Sequence, residues 1–210
     1  MIKVDCFTLG ELAANCYFIR DEENGVSAVI DPGDYSASLN RAIDSFGAEK
    51  LKYILLTHGH FDHISGTAAL RVRYPHAKIV IGSPDRNYPT NERLNLCYHF
   101  GDKVDPFRCD IFVDDGDELP FGENKITVML TPGHTSGSVC YRTGDLLFTG
   151  DTLMTGTTGR TDFPTGSYEE MISSIERLAA IPENLTVYCG HGESTTLDRE
   201  RAYNYFMRKS

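Results

Sequence analysis

The chain has 210 residues, 40% of them apolar, enough to bury one sizeable core. Its 30 acidic residues against 20 basic leave a formal net charge of −10. Phosphate binding depends on clustered Lys and Arg, so this balance argues against a nucleic-acid or anionic-membrane partner. The apolar runs are too short to span a bilayer, and Met1-Ile2-Lys3-Val4-Asp5 opens without a signal-peptide pattern, so a soluble, cytoplasmic protein is expected.

In chain order, β-branched and aromatic residues predict strands over 2–8, 16–20 and 28–31, separated by turn signals such as Glu23-Asn24-Gly25. Asp31-Pro32-Gly33-Asp34 ends the third strand. Leu39, Ile43 and Phe46 then share one face of a predicted helix over 38–46, closed by Gly47. A strand over 51–56 follows, then a helix over 65–74 that stops at Pro75, then a strand over 78–81. Residues 82–110 carry Pro84, Pro89 and Pro106 with weak periodicity, a stretch of the kind that covers sites or is partly disordered. Beyond Asp115 strands return over 126–130, 146–149 and 186–189. No linker, low-complexity tract or solenoid repeat interrupts the chain, so residues 1–210 are expected to form a single domain.

The six cysteines, at 6, 16, 97, 109, 140 and 189, form no Cys-x-x-Cys pair and read as reduced core residues, with Cys97 or Cys109 as candidate reactive thiols.

The chemistry concentrates in Thr57-His58-Gly59-His60-Phe61-Asp62-His63, directly after the predicted strand over 51–56. Three imidazoles and a carboxylate in six positions are the donor set that divalent transition metals take when no thiolate is offered. In an extended segment His58 and His60 point the same way and grip one ion, while Asp62 and His63 face a neighbouring point, which suggests two metals. Three more strands end in a glycine followed by a ligand-type residue: Gly133-His134, Gly150-Asp151 and Gly190-His191. Seven such residues without a cysteine indicate an open catalytic centre rather than a closed structural one.

These motifs resemble the metallo-β-lactamase superfamily, and the likeness extends over nearly the whole chain, including the Asp31-Pro32-Gly33 turn. The resemblance implies an αββα sandwich, two mixed β-sheets packed face to face with helices outside; pattern alone gives only α+β. It places one metal on His58, His60 and His134, a second on Asp62, His63 and His191, and Asp151 between them. The ions implied are divalent, Zn2+ first, with Fe or Mn as alternatives. Diiron flavoproteins of this fold usually have Glu where His60 stands, and the nuclease branch adds a further domain. Within the superfamily the likeness is to small glyoxalase-II-like (hydroxyacylglutathione hydrolase-like) hydrolases, through Gly159-Arg160-Thr161-Asp162-Phe163-Pro164 and the stretch from Asn95-Leu96 to Phe100-Gly101. Standard glyoxalase II continues into a helical portion that holds glutathione, and no separate C-terminal glutathione-binding domain is expected here. Glu193 and Asn204-Tyr205 also depart from that pattern.

Two divalent cations, less the charges of Asp62, Asp151 and a bridging hydroxide, leave a centre about one unit positive, suited to stabilising an oxyanion. Metal binding lowers the pKa of water towards about 7, which supplies a nucleophile near neutrality. A thiolate leaves without a strong general acid, since its parent pKa is about 8.5. The expected activity is therefore hydrolysis of a small-molecule thioester such as S-lactoylglutathione, with Asp62 as a ligand that also orients the hydroxide. The alternatives are an iron-dependent persulfide dioxygenase, a lactone or other ester hydrolase, and a non-catalytic metal-binding subunit. Arg160 either faces a substrate carboxylate or forms a loop-fixing ion pair with Asp162. Arg199, Arg201, Arg208 and Lys209 read as the solvated side of a helix whose other side carries Tyr203 and Phe206, or as contacts to an anionic substrate tail. His76 reads as exposed and His99 as a loop residue; Tyr88, Tyr98 and Phe100 either line an apolar wall or pack the underside of their loop.

Overall fold

A computed structural model describes residues 1–208. Its first sheet runs in the order β1 (Ile2–Leu9), β2 (Ala14–Asp21), β3 (Val26–Ile30), β4 (Leu51–Leu55), β5 (Lys78–Gly82) and β6 (Ile111–Val113). β1, β2 and β3 are antiparallel; β3 through β6 are parallel, joined by α1 (Ala37–Phe46), α2 (Phe61–Ile64), α3 (Thr67–Arg73) and α4 (Cys97–Phe100). The second sheet takes β7 (Glu118–Phe121), β8 (Asn124–Leu130), β9 (Val139–Thr143) and β10 (Leu146–Gly150) as antiparallel neighbours. A short hairpin of β11 (Leu153–Met154) and β12 (Thr157–Thr158) and the helix α5 (Tyr168–Ala179) follow. β13 (Thr186–Cys189) then joins β10 in parallel and β14 (Thr195–Thr196) forms the edge, before α6 (Leu197–Tyr203) and α7 (Tyr205–Arg208) close the described chain.

Strand side chains alternate between faces, and this alternation builds three apolar layers. Tyr17, Ile19, Tyr53, Leu55 and Val80 meet Val128, Tyr141 and Phe148 between the sheets. The intervening Phe18, Ile54 and Ile79 face outward onto Leu39, Ile43 and Leu70 of α1 and α3. Leu147 and Val187 face outward from the second sheet onto Met171, Ile175, Leu178, Leu197 and Met207. The result is the expected αββα sandwich. Strands covered on both sides read as continuous apolar runs, as β10 does, buried at all five positions.

Several sequence expectations change. The helix expected over 65–74 is shorter, because Phe61–Ile64 forms its own turn and Gly66 precedes α3. Residues 82–110 are packed rather than loose: Leu96, Cys97, Val104 and Phe107 belong to the core outside the first sheet. The expectation that Tyr203 and Phe206 share a buried helix side fails. Asn204 takes an extended backbone (φ −75°, ψ 121°) between α6 and α7, and its Nδ2 donates to the carbonyls of Met154 and Thr157. That break leaves Tyr203 exposed, while Leu197, Glu200, Asn204 and Met207 face inward. Arg201 is not merely solvated either: its guanidinium donates to the carbonyls of Ile181 and Glu183 beyond the end of α5. Lys209 lies outside the described residues. All six cysteines are free; Cys16, Cys97, Cys140 and Cys189 are buried as expected, whereas Cys6 is exposed and Cys109 half-buried. Burial pushes the Cys109 thiol up to about 12, and it raises that of Cys97, which disfavours both as reactive thiols.

Candidate metal centre

All seven sequence-predicted ligand residues gather where loops leave one edge of the two sheets. β4 ends at Leu55, and the chain turns so that His58 and His60 enter the space between sheet ends. A short helical turn follows, so Asp62 and His63 are presented from α2 rather than from an extended segment. His134 follows β8, Asp151 follows β10 and His191 follows β13. The glycine before each has a steric cause. Gly133 adopts φ +138°, and a Cβ there would meet Met171 at 2.4 Å. A Cβ at Gly190 would lie 2.1 Å from Asp151 Oδ1.

Ring nitrogens and carboxylate oxygens fall into two tight groups, His58–His60–His134 and Asp62–His63–His191, and a third, Asp31–His58–His63, overlaps both; in each the candidate ligand atoms lie within 4.8 Å of one another. His60 Nδ1 is 2.9 Å from His134 Nε2, and His63 Nε2 is 3.3 Å from His191 Nε2. Asp151 lies between the groups: its Oδ1 is 3.6 Å from His63 Nε2, and its Oδ2 is 3.6 Å from both His134 Nε2 and His191 Nε2. Three buried atoms there, His58 Nε2, His60 Nε2 and Asp151 Oδ1, have no hydrogen-bond partner. Buried polar atoms are normally paired, so this concentration of free lone pairs fits a donor set shaped for cations.

The electrostatics divide the cluster. Burial, reinforced by neighbouring imidazoles, holds His58 and His60 well below the usual histidine range, so both are neutral with lone pairs available. Burial also acts against the charged forms of His63 and Asp62, but here their mutual attraction wins: His63 rises to about 10 beside Asp62, Asp151 and Asp31, and Asp62 falls below the usual carboxylate range beside His63 and His191. His191 is raised for the same reason, with the Asp62 hydrogen bond outweighing burial. A cation held in this half would have to displace protons, so its binding would depend on pH.

Two supporting carboxylates escaped the sequence reading. Asp31, expected only as a turn residue, is 2% exposed and adopts φ 49°. Its Oδ1 accepts from Thr57 N at 2.7 Å, while its Oδ2 accepts from Thr57 Oγ1 at 2.6 Å and contacts His63 Nδ1 at 3.0 Å. That bond fixes which His63 nitrogen faces the cluster. Asp85 is fully buried and accepts from Gly59 N (3.1 Å), Thr135 Oγ1 (2.8 Å) and Gly137 N (2.9 Å), tying the loop of His58 and His60 to that of His134. Arg160 forms the ion pair with Asp162, its Nε and Nη2 at 2.7 and 2.6 Å from the two carboxylate oxygens. Its carbonyl also lies 2.7 Å from His134 Nδ1 and orients that ring. His76 is exposed and reaches the Ala48 carbonyl, and His99 is exposed as well. Tyr88 is buried beside Gly59, Tyr98 is exposed, and Phe100 lines a cavity of about 490 Å3 that opens onto His60, Asp62, His134, Asp151 and His191.

A sandwich of this kind with imidazoles and carboxylates converging at one sheet edge defines a metallohydrolase class. The model of the metallo-beta-lactamase superfamily matches residues 9–191, and the chain belongs to that superfamily, as a metal-dependent hydrolase. It is 35% identical over 212 residues to the hydroxyacylglutathione hydrolase GloC of Haemophilus influenzae, covering 98% of each chain. It is also 35% identical over 179 residues to a hydroxyacylglutathione hydrolase of Aeromonas salmonicida, covering 83% of this chain and 59% of that one. Among solved structures it resembles the BLEG-1 B3 metallo-beta-lactamase (TM-score 0.86, 29% identity, 99% of both chains). TTHA1623 in a di-iron-bound form is similarly close (0.85, 31%, 97% of this chain and 100% of that one), as is ETHE1 from Myxococcus xanthus (0.77, 28%, 99% and 86%). No helix among the described residues is long and apolar enough to cross a membrane.

Proposed function

We propose that this protein hydrolyses small-molecule thioesters, the class to which S-lactoylglutathione belongs. The observation that carries the reading is the convergence of seven donor side chains, three of their buried polar atoms unpaired, with five of the seven lining one cavity and His58 and His63 buried behind them. In this proposal His58, His60 and His134 hold one divalent cation, Asp62, His63 and His191 hold a second, and Asp151 serves both. Five imidazoles and two carboxylates suit zinc and also admit iron or manganese. When bound, such ions polarise an acyl carbonyl and make a water nucleophilic near neutral pH.

The protein groups then have defined tasks. Asp31 keeps His63 Nε2 turned to the centre, and the Arg160 carbonyl does the same for His134 Nε2. Asp62, at the cavity floor, orients the attacking water. Among the described residues the cavity lining offers no Lys, Tyr, Cys or Glu as a dedicated proton donor to a departing group. A thiolate needs none, which favours a thioester over an amide or a simple ester. The relatives named hydroxyacylglutathione hydrolase support the same class. Residues 1–210 act as one catalytic domain in this reading, and six free cysteines accord with a reducing, cytoplasmic setting.

The test is hydrolysis by protein of defined metal content, with S-lactoylglutathione beside a lactone and a β-lactam, together with oxygen uptake on glutathione persulfide. Thioester turnover dependent on added zinc, iron or manganese is expected. Oxygen uptake without hydrolysis would replace the proposal by a dioxygenase.

A further inference from the structure

Next to the donor cluster the cavity is walled by aromatic rings. Phe163 packs edge-on against His60 with centroids 5.8 Å apart, Phe100 follows at 6.2 Å from Phe163, and Phe61 lies 5.4 Å from Phe100. The series starts at the His60 imidazole and reaches solvent at Phe100, which is 51% exposed, with Phe61 buried behind it at 6%. Leu96, buried in the same wall, is one of the few non-glycine residues at positive φ (71°). Strain of this kind persists where the surroundings over-determine it, and it clusters at ligand clamps.

The charges nearby are equally specific. Among the described residues Arg160 is the sole Lys or Arg lining the cavity. Its guanidinium is bound by Asp162 and lies 4.0 Å over the Phe163 ring, so its charge is offset and its orientation fixed. An adjoining hollow that shares Leu12, Phe61 and Asp62 with the cavity is lined by Glu11, Asp34, Asp102 and Asp105 against Lys103 alone. A glutathionyl arm brings two carboxylates and one ammonium, and for the carboxylates the described residues here offer four acids against Lys103 and the Asp162-bound Arg160.

We infer that the substrate is a thioester carrying an uncharged apolar arm, alkyl or aryl, which seats against Phe61, Phe100 and Phe163. This inference rests on the thioesterase reading above. The same wall serves an apolar group on either side of the thioester, and the experiment separates the acyl arm from the thiol arm.

Each methylene moved fully out of water is worth a factor of about four. With Phe100 half open to solvent, lengthening an arm from two carbons to six is expected to raise kcat/KM at least about tenfold. One series varies the acyl group, acetyl to hexanoyl, on N-acetylcysteamine. A second keeps acetyl and varies the thiol, from ethanethiol to hexanethiol. The gain is expected in one of them, with S-lactoylglutathione turned over less efficiently than the favoured apolar ester. In Phe100→Ala the long-over-short ratio should fall at least fivefold. Binding is read separately by calorimetry with thioethers that lack the scissile thioester carbonyl, S-hexyl- against S-methyl-N-acetylcysteamine, with the same tenfold preference expected. Flat profiles in both series and in binding, or a lead for S-lactoylglutathione, would overturn the inference while leaving thioester hydrolysis intact. Length-dependent thioether binding without turnover of any thioester would instead overturn the reaction and keep the apolar seat.

Discussion

Gly59 stands between His58 and His60 with no room for a side chain. A Cβ there would sit 2.2 Å from Tyr88 Cβ, 2.4 Å from its Cγ and 2.5 Å from its Cδ1. Ordinary contact begins at 3.4 Å, so Gly59→Ala forces a displacement of about 1.2 Å. Tyr88 resists: it is 1% exposed, its hydroxyl lies 2.6 Å from Thr165 Oγ1, and its carbonyl accepts from Asn95 Nδ2 at 3.0 Å. The yielding element is therefore the loop, which carries His58 and His60 with it. Overpacking of this kind costs about 1–3 kcal/mol, which in a chain of this size lowers Tm by roughly 2–12 °C. Competition against a chromophoric chelator should show one zinc equivalent weakened about 10- to 100-fold, a range typical for a disturbed ligand shell. The equivalent assigned to Asp62, His63 and His191 should be the one retained. Tyr88→Gly in the Gly59→Ala background, which removes the clashing Cβ as well as the ring, should recover part of both losses, with a coupling of about 0.5–3 kcal/mol. A single variant that melts within about 1 °C of the parent and binds both equivalents unchanged would refute the argument, as would a double variant whose losses simply add.

Replacement of His58 or Asp151 by Ala is expected to abolish thioester turnover, and full activity in either would contradict the assigned centre. Chelator dialysis should remove activity; re-addition of zinc should restore it and raise Tm with ion concentration, because the ions bind the folded centre. A Tm indifferent to zinc would count against the site. Asp85 is raised by burial from 3.8 to about 6 despite its hydrogen bonds from Thr135, Gly59 and Gly137. A raised folded-state value means that its contribution to stability is fully present below about pH 3.8 and lost as pH rises through about 6, a swing of about 3 kcal/mol. Urea melts across that window should therefore show a component that Asp85→Asn removes, and identical pH slopes in the two proteins would exclude it. Arg160→Ala should leave two metal equivalents in place and change stability by under about 1 kcal/mol, because the pair with Asp162 is exposed and His134 is oriented by the backbone carbonyl. Loss of metal in that variant would give the side chain the positioning role.

What was legible in the sequence was whatever chain-local packing imposes. His58, His60, Asp62 and His63 stand within one short stretch, so the donor chemistry declares itself without knowledge of the fold. His134, Asp151 and His191 were legible through their glycines, which are required where the chain passes tightly against Met171, Thr57 and Asp151. The helix α5 had a readable pattern too, Met171, Ile175 and Leu178 on one face after the capping Ser167, but it went unread beside the motifs around it. Asp31 and Asp85 are a different case. Each acts on residues 26 positions away, Asp31 on Thr57 and Asp85 on Gly59, and nothing in the spacing of either distinguishes a buried acceptor from an ordinary turn carboxylate. The end of the chain misleads for a related reason. Helical periodicity assumes an unbroken axis, but the Asn204 side chain finds carbonyls at Met154 and Thr157, and the break it makes turns Tyr203 out to solvent. Phe100 belongs with these. Its aromatic character admitted either a wall or a buried prop, and only its position relative to Phe163 and His60 makes it the outer edge of a surface leading to the donor cluster. Residues that bind ions carry their chemistry in their identity, whereas residues that orient a ligand or choose a substrate acquire theirs from neighbours that folding supplies.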